Sequence, residues 1–325
     1  MRLPPTGIIA LVFFFAGIIL PAAPGGTLST HIICTMTRNI RTLAAATYGD
    51  ITRRPLYYIL LFSFAAAIFG SKFLTLFSFY QEKNMVREMG MATITFWGFI
   101  VLVVTSGIVV TQELEDRTAV TLLSKPIQRT DFLLGKFFGL VAALIPGMVV
   151  LAGVLFLTLW MMTISRLPVY DRDLVAAVNH GASPFGASWS VLWNHFILKE
   201  SGVVLEGAFL SFLQTTILAA AAVSFSAFFP NVVSVSATTL VFIIGNVSSY
   251  MLASVENLKV GPLTALGRAG SYLIPNLGYF SLQMYFSEGK IISVRYLGLS
   301  FAYTALYVVA VFLISCSLFQ KREVR

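Results

Sequence analysis

A chain of 325 residues with 57% hydrophobic and 11% charged residues, and a mean hydropathy of +0.84, lies far outside soluble composition. That excludes a pair of soluble domains and makes this a polytopic membrane protein. The net charge of +8 sits at the ends of apolar segments, which speaks for orientation in a bilayer and against nucleic acid, and Cys34 and Cys316, near opposite ends, form no disulfide framework or Cys-based metal site.

The first stretch, MRLPPTGIIALVFFFAGIILPAAPGG, carries one Arg, an apolar run from Gly7 to Leu20 and then small residues with Pro. It has the form of a signal peptide and is short for a spanning helix. Cleaved or spanning, it puts Arg38, Arg41, Arg53 and Arg54 outside, against the positive-inside rule. A third reading makes Met36 the biological start and residues 1–35 an upstream hydrophobic extension. Residues 36–55 then place Ile40, Leu43, Ala44 and Thr47 on one helical face, with Arg38, Asn39 and Arg41 towards the other. This predicts a helix lying at the cytoplasmic interface, with Arg53 and Arg54 at the level of the lipid phosphates. The plainer reading is a tail with anchoring charges.

A helix needs about 20 mostly apolar residues to cross the roughly 30 Å hydrocarbon core, because its backbone must be satisfied within its own segment. Six stretches qualify: Leu56 to Phe77, Met91 to Val110, Phe132 to Met162, Val203 to Phe229, Val232 to Ala253 and Leu297 to Leu318. The predicted fold is all-α, with six transmembrane helices in residues 56–325 behind the interfacial helix. Pro230 and Asn231 make the fourth and fifth a tight hairpin, the proline stopping one helix and the asparagine capping the next. With Met36 cytoplasmic, six crossings return the C-terminal KREVR to the cytoplasm. Counted this way, net charge is +5 on the short inside segments and +2 on outside loops about twice as long.

Two outside stretches, 165–201 and 255–296, are too long for simple turns. The first carries His180, Trp189, Trp193 and His195. The second holds YLIPNLGYF, which predicts either aromatic anchoring at the headgroups or partial re-entry into the bilayer edge. Neither GxxxxGK[ST] nor HExxH occurs, and GASWS at 186–190 lacks the last glycine of a GxSxG elbow. The two loop histidines have no adjacent carboxylate or cysteine pattern for a metal. Charges beside apolar runs are costly in lipid and often functional. Lys72 and Glu206 lie towards outer helix ends, and Glu206 is the candidate for a gating or substrate contact. No chain of acids crosses the predicted helix centres.

Between the second and third crossings, residues 112–136 read QELEDRTAVTLLSKPIQRTDFLLGK and hold eight charges. Glu113 and Arg117 stand four apart with the acid first, the favourable order for a helical pair, so the helix leaving the membrane continues into the cytosol. Ala119, Leu122 and Leu123 add a small apolar face, and Ser124-Lys125-Pro126 ends the element. Thr130 or Asp131 caps the next helix, and the stem of Lys136 returns its ammonium to the surface. Gly135 and Gly139 are spaced for a close helix crossing. A solvated loop does not need the leucine pair; a protein partner does.

Over residues 112–140 the pattern E-x-E-x-R-T, a-V-T-L-L-S-K-P-I-x-R and F-L-L-G-K-F-x-G-L resembles the cytoplasmic signature of type-2 ATP-binding cassette (ABC) transporter permeases. The resemblance is nearest to the branch of multi-copper enzyme maturation permeases, which includes the nitrous oxide reductase maturation permeases. Elsewhere it rests on the six-helix layout, the interfacial helix and the LIPN stretch at 273–276. Ala119 and Val120 depart from the Gly-Thr and leucine of many relatives, and the N-terminal hydrophobic segment is a larger departure.

The resemblance implies a non-catalytic permease subunit of the cytoplasmic (inner) membrane, both termini cytoplasmic if Met36 is the start, most often exporting. It implies as partners a separate ATPase subunit carrying the ATP and Mg, a second permease copy or homologue, and membrane lipid. No cofactor is expected on this chain, and no nucleic acid. Segment 112–131 is then the coupling helix. Its contacts to the ATPase fall on Glu113, Glu115, Arg117, Thr118, Leu122, Leu123, Ser124, Pro126 and Arg129. The alternatives from other classes are a membrane-embedded scaffold that remodels an external partner, an ion-coupled secondary transporter and an intramembrane enzyme.

Overall fold

The computed structural model describes residues 27–74, 82–107, 129–170, 201–257, 275–281 and 292–321. These residues form helices and no strand: α1 (Thr27–Thr52), α2 (Pro55–Leu74), α3 (Glu82–Ser106), α4 (Arg129–Tyr170), α5 (Ser201–Phe228), α6 (Asn231–Asn257) and α7 (Val294–Lys321), with a 3-10 turn at Leu277–Tyr279. Six of them, α2 to α7, are long and apolar enough to cross a membrane. The chain is therefore an all-α, multi-pass membrane protein, as its hydropathy predicts. We call the end of the bundle that carries α1 the near end, and the end that carries the start of α7 the far end.

The elements begin and end for local reasons. Between α1 and α2 the break falls at Arg53 and Arg54, where the Arg54 carbonyl accepts from the Tyr57 amide and Pro55 opens α2. Proline suits that position, because its missing N–H has no helical partner there. At the α5–α6 turn the Ser234 amide donates to the Pro230 carbonyl, so Pro230 caps α6 and Asn231 is already helical. The asparagine expected to cap that helix instead buries its Oδ1 beside Gly107, the residue after α3, without a hydrogen bond.

Several boundaries move outward. Helix α3 starts at Glu82, well before Met91, because its first turns are charged and hydropathy alone cannot see a helix that continues past the membrane surface. Helix α4 has 42 residues, about 63 Å at 1.5 Å per residue and roughly twice the hydrocarbon core. It therefore takes in residues 165–170, which the sequence reading assigns to an outside loop. Helix α1 begins at Thr27, ahead of Met36, so Met36 is internal to a helix.

Helix α5 is the centre of the bundle, packed by α3, α4, α6 and α7. Its buried run Ala219–Ala222 lets neighbours approach, which is how membrane helices gain packing without a hydrophobic driving force between them. A second knot joins α2, α3 and α4. There Trp97 is fully buried, its ring edge-on to Tyr57 at 5.7 Å. The Tyr57 hydroxyl donates to the Ala143 carbonyl at 3.0 Å, one turn before Pro146, where a proline inside a helix disturbs the carbonyl ladder.

Residues 275–281 fold back into the bundle. The Asn276 side chain accepts from the Gly278 amide, its own amide donates to the Tyr303 hydroxyl of α7 at 3.1 Å, and Leu277 is fully buried. Leu277 rests on Gly245 of α6, where an added Cβ would lie 2.8 Å from it and 2.9 Å from the Pro275 carbonyl oxygen. Gly245 stands about 21 Å along α6 from Asn231. The candidate span of α6 runs from Asn231 to Ser248, so the 275–281 stretch packs against α6 close to the far limit of that span.

Candidate functional site

Polar groups gather at both ends of the bundle. At the near end, α1 lies against the start of α4. The face predicted from spacing is the one buried: Thr47 and Ile51 are almost wholly covered, Ile40, Leu43 and Ala44 are half-buried, and Arg38, Arg41, Arg53 and Arg54 are exposed. The spacing Gly135-x-x-x-Gly139 is the reason α1 can sit so close. A Cβ at Gly135 would lie 2.6 Å from that of Leu43, and one at Gly139 would lie 2.7 Å from the Ala44 carbonyl oxygen and 2.6 Å from the Thr47 Cβ. Any side chain at these positions forces the helices apart. On the next face Phe137 meets Phe312 of α7, ring centroids 4.9 Å apart.

Lys136 sits between the two glycines and is 3% exposed, its ammonium 5.6 Å from the centroid of Phe132. The predicted return of this ammonium to the surface does not occur: the side chain stays buried beside Phe132. The backbone enters α4 at Arg129, ahead of both Thr130 and Asp131, so neither residue caps it. Arg129 is thus the single predicted contact residue that falls in a described helix. Glu113, Glu115, Arg117, Thr118, Leu122, Leu123, Ser124 and Pro126 lie outside the described residues, as do His180 and His195.

Towards the far end, a cleft of about 310 Å³ opens between α3, α5, α6 and the 3-10 turn. Glu88, Thr95 and Phe96 line it from α3, Ser211 and Gln214 from α5, Phe242 and Asn246 from α6, and Phe280 and Ser281 from the 275–281 stretch. The hydroxyl of Thr95 donates to that of Ser211 at 2.9 Å, and Gln214 Nε2 donates to Asn246 Oδ1 at 3.0 Å. Asn246 Nδ2 donates in turn to the Phe242 carbonyl at 2.9 Å. Each amide offers two donors and an acceptor with two lone pairs, so these bonds leave capacity for a guest. Two aromatic groups stand at the cleft: Phe242 stacks on Phe99 at 4.1 Å and Phe99 on Phe96 at 6.1 Å, while Phe280 stands 6.1 Å from Tyr303.

Glu206, the one predicted substrate residue on α5, does not line the cleft. Its Oε2 accepts from the Ile292 amide at 2.8 Å, just before α7 begins, where a carboxylate also suits the positive end of the helix dipole. It ties the far ends of α5 and α7 together. Glu88 and Gln214 were not singled out by the sequence reading. The signal for Gln214 was present: it is an amide at the middle of an apolar span, a position that demands a polar partner. Among the described residues, no group of three or more His, Cys, Asp or Glu could hold a metal.

No curated protein matches this chain. Residues 42–325 match the family described as protein of unknown function (DUF2705), and the match takes in all six spanning helices among the described residues. With most of its length covered, from the second half of α1 to the final residue, the chain belongs to the DUF2705 family.

Proposed function

We propose that this chain is the membrane-spanning permease subunit of an ATP-driven transporter, non-catalytic itself and coupled to a separate ATPase through residues 112–131. The observation that carries the reading is the glycine crossing of α1 on α4, placed directly after that segment. A force applied to the segment enters α4 at Arg129 and meets α1 within three turns, so α1 and α4 move as one body. The E-x-E-x-R-T and LLSKP patterns supply the docking chemistry, with Leu122 and Leu123 as apolar contacts and Glu113, Glu115 and Arg117 as positioning contacts. ATP and Mg belong to the partner. A ligand-driven change requires docking free energy that differs between two states of the ATPase pair.

In this reading the near end is cytoplasmic, the exposed arginines of α1 rest at the lipid phosphates of the cytoplasmic membrane, and a second permease copy or homologue completes the pathway. Transport runs outward, as in most of the resembling family. Charge reversal at Glu113 combined with Leu122→Asp releases the ATPase while membrane insertion is unchanged. Co-purification from membranes checks this, and an ATPase retained at normal affinity sinks the docking assignment. Transport in proteoliposomes containing the ATPase separates a permease from a scaffold that only remodels an outside partner.

A further inference from the structure

We propose that the far-end cleft between α3, α5, α6 and the 3-10 turn binds a small organic cation with an apolar or aromatic body, its charge held against Glu88. The assignment deepens the permease reading, on which its meaning as cargo rests. Binding itself can be read without any ATPase.

The chemistry of the wall selects the class. Glu88 is the only charged residue among the described residues that line the cleft, and it is half-buried. A carboxylate in partly desolvated surroundings attracts a cation and repels an anion, and screening by salt is weaker there than at an open surface. Phe96, Phe242 and Phe280 line the same space. Aromatic faces attract quaternary and other organic cations through the ring quadrupole, and they accept the apolar body as well. Small inorganic cations are poorly served, since they prefer shells of oxygen and would lose hydration against three phenyl rings.

Depth and size set the rest. Along α3 the lining runs from Glu88 to Phe96, about 12 Å at the helical rise, so the acid stands towards the far end and the rings and amides lie deeper. Thr95, Ser211, Gln214 and Asn246 form a polar floor at a depth where unpartnered polar atoms are costly. A guest with its charge at Glu88 and its body among the rings reaches that floor with one hydroxyl or carbonyl. At about 310 Å³ the cleft lies at the small end of ligand pockets, which span roughly 300–1,000 Å³, and so fits an amine of one ring more readily than a long lipid.

The test uses the full chain in nanodiscs of uncharged lipid and three probes that share a benzyl group: benzyltrimethylammonium, its uncharged isostere neopentylbenzene, and the anion phenylacetate. Calorimetry or equilibrium dialysis is expected to show saturable binding of the ammonium, at least tenfold weaker binding of the neutral analogue and none of the anion. Glu88→Gln weakens the ammonium about tenfold and leaves the neutral analogue unchanged. Ala92→Phe, which adds a ring to the cleft lining without cutting into the buried core, abolishes both while the melting temperature stays at the wild-type value. Equal affinity for ammonium and neutral probe, or an unchanged ammonium affinity in Glu88→Gln, overturns the proposal. Ammonium binding that never stimulates a co-reconstituted ATPase keeps this site and removes the permease reading; absent binding with the ATPase still docked does the reverse.

Discussion

At the near end, α1 meets α4 with backbone atoms almost in contact across Gly135 and Gly139, whereas at the far end α3, α5 and α6 stand apart around Thr95, Gln214 and Asn246. Glycine removes the side-chain layer from one interface. Amides and hydroxyls hold the other open, because polar groups in a membrane interior must find partners and those partners fix a spacing. The near end is therefore built to transmit displacement without slack, and the far end to accommodate a guest.

Substitutions at the two ends should respond in opposite ways. The largest expected effect is at the crossing: Gly139→Leu inserts a branched side chain where the Ala44 carbonyl oxygen already stands 2.7 Å from an added Cβ. Overpacking of this kind costs about 1–3 kcal/mol and here displaces α1. Thermal unfolding in detergent measures it, and Ala92→Leu at the exposed edge of the far cleft serves as the matched insertion that leaves the melting temperature in place. If the two variants melt alike, the contrast between the ends is wrong.

A middle-sized effect follows from Glu206→Ala, which strips the acceptor from the Ile292 amide at the start of α7. A partly exposed hydrogen bond to a carboxylate makes this about 1 kcal/mol. The readout is local, since amide exchange at Ile292 should accelerate while α1 keeps its protection. The smallest belongs to Gln214→Leu. It removes the bond to Asn246, and interhelical polar contacts in membranes average only about 0.6 kcal/mol. A melting shift as large as that of Gly139→Leu would mean that the amide pair holds the bundle together and does not merely space it.

Much of the fold was legible because hydropathy and length report directly on the bilayer. The third span, Phe132 to Met162, emerges with the same limits, and the apolar face of α1 follows from the spacing of Ile40, Leu43, Ala44 and Thr47. Helix ends were less legible, because beyond the membrane surface hydropathy carries no signal: α3 begins in a charged stretch and α4 runs on to Tyr170. Capping was misassigned at Asn231 because its Oδ1 takes a tertiary place beside Gly107, and the Pro230 carbonyl does the local work. The far cleft was hidden because it is made by three helices and a loop distant in sequence. A lone Gln214 or Asn246 in an apolar run predicts that a partner exists, not which one. Glu206 illustrates the converse, a charge in a suggestive position whose Oε2 is bonded to the Ile292 amide ahead of α7 and stands away from the cleft.

The central place of α5 has a consequence for how the protein is made. Four helices surround it, and one of them, α7, leaves the ribosome after the other three. Until then the flank of α5 that α7 covers faces lipid, although 72% of its apolar window is buried in the finished bundle. The packing around α5 is complete only once α7 is in place, and a nascent chain halted after α6 presents an unfinished surface. That makes the completion of α7 the step at which a membrane quality-control protease would distinguish a finished molecule from an abandoned one.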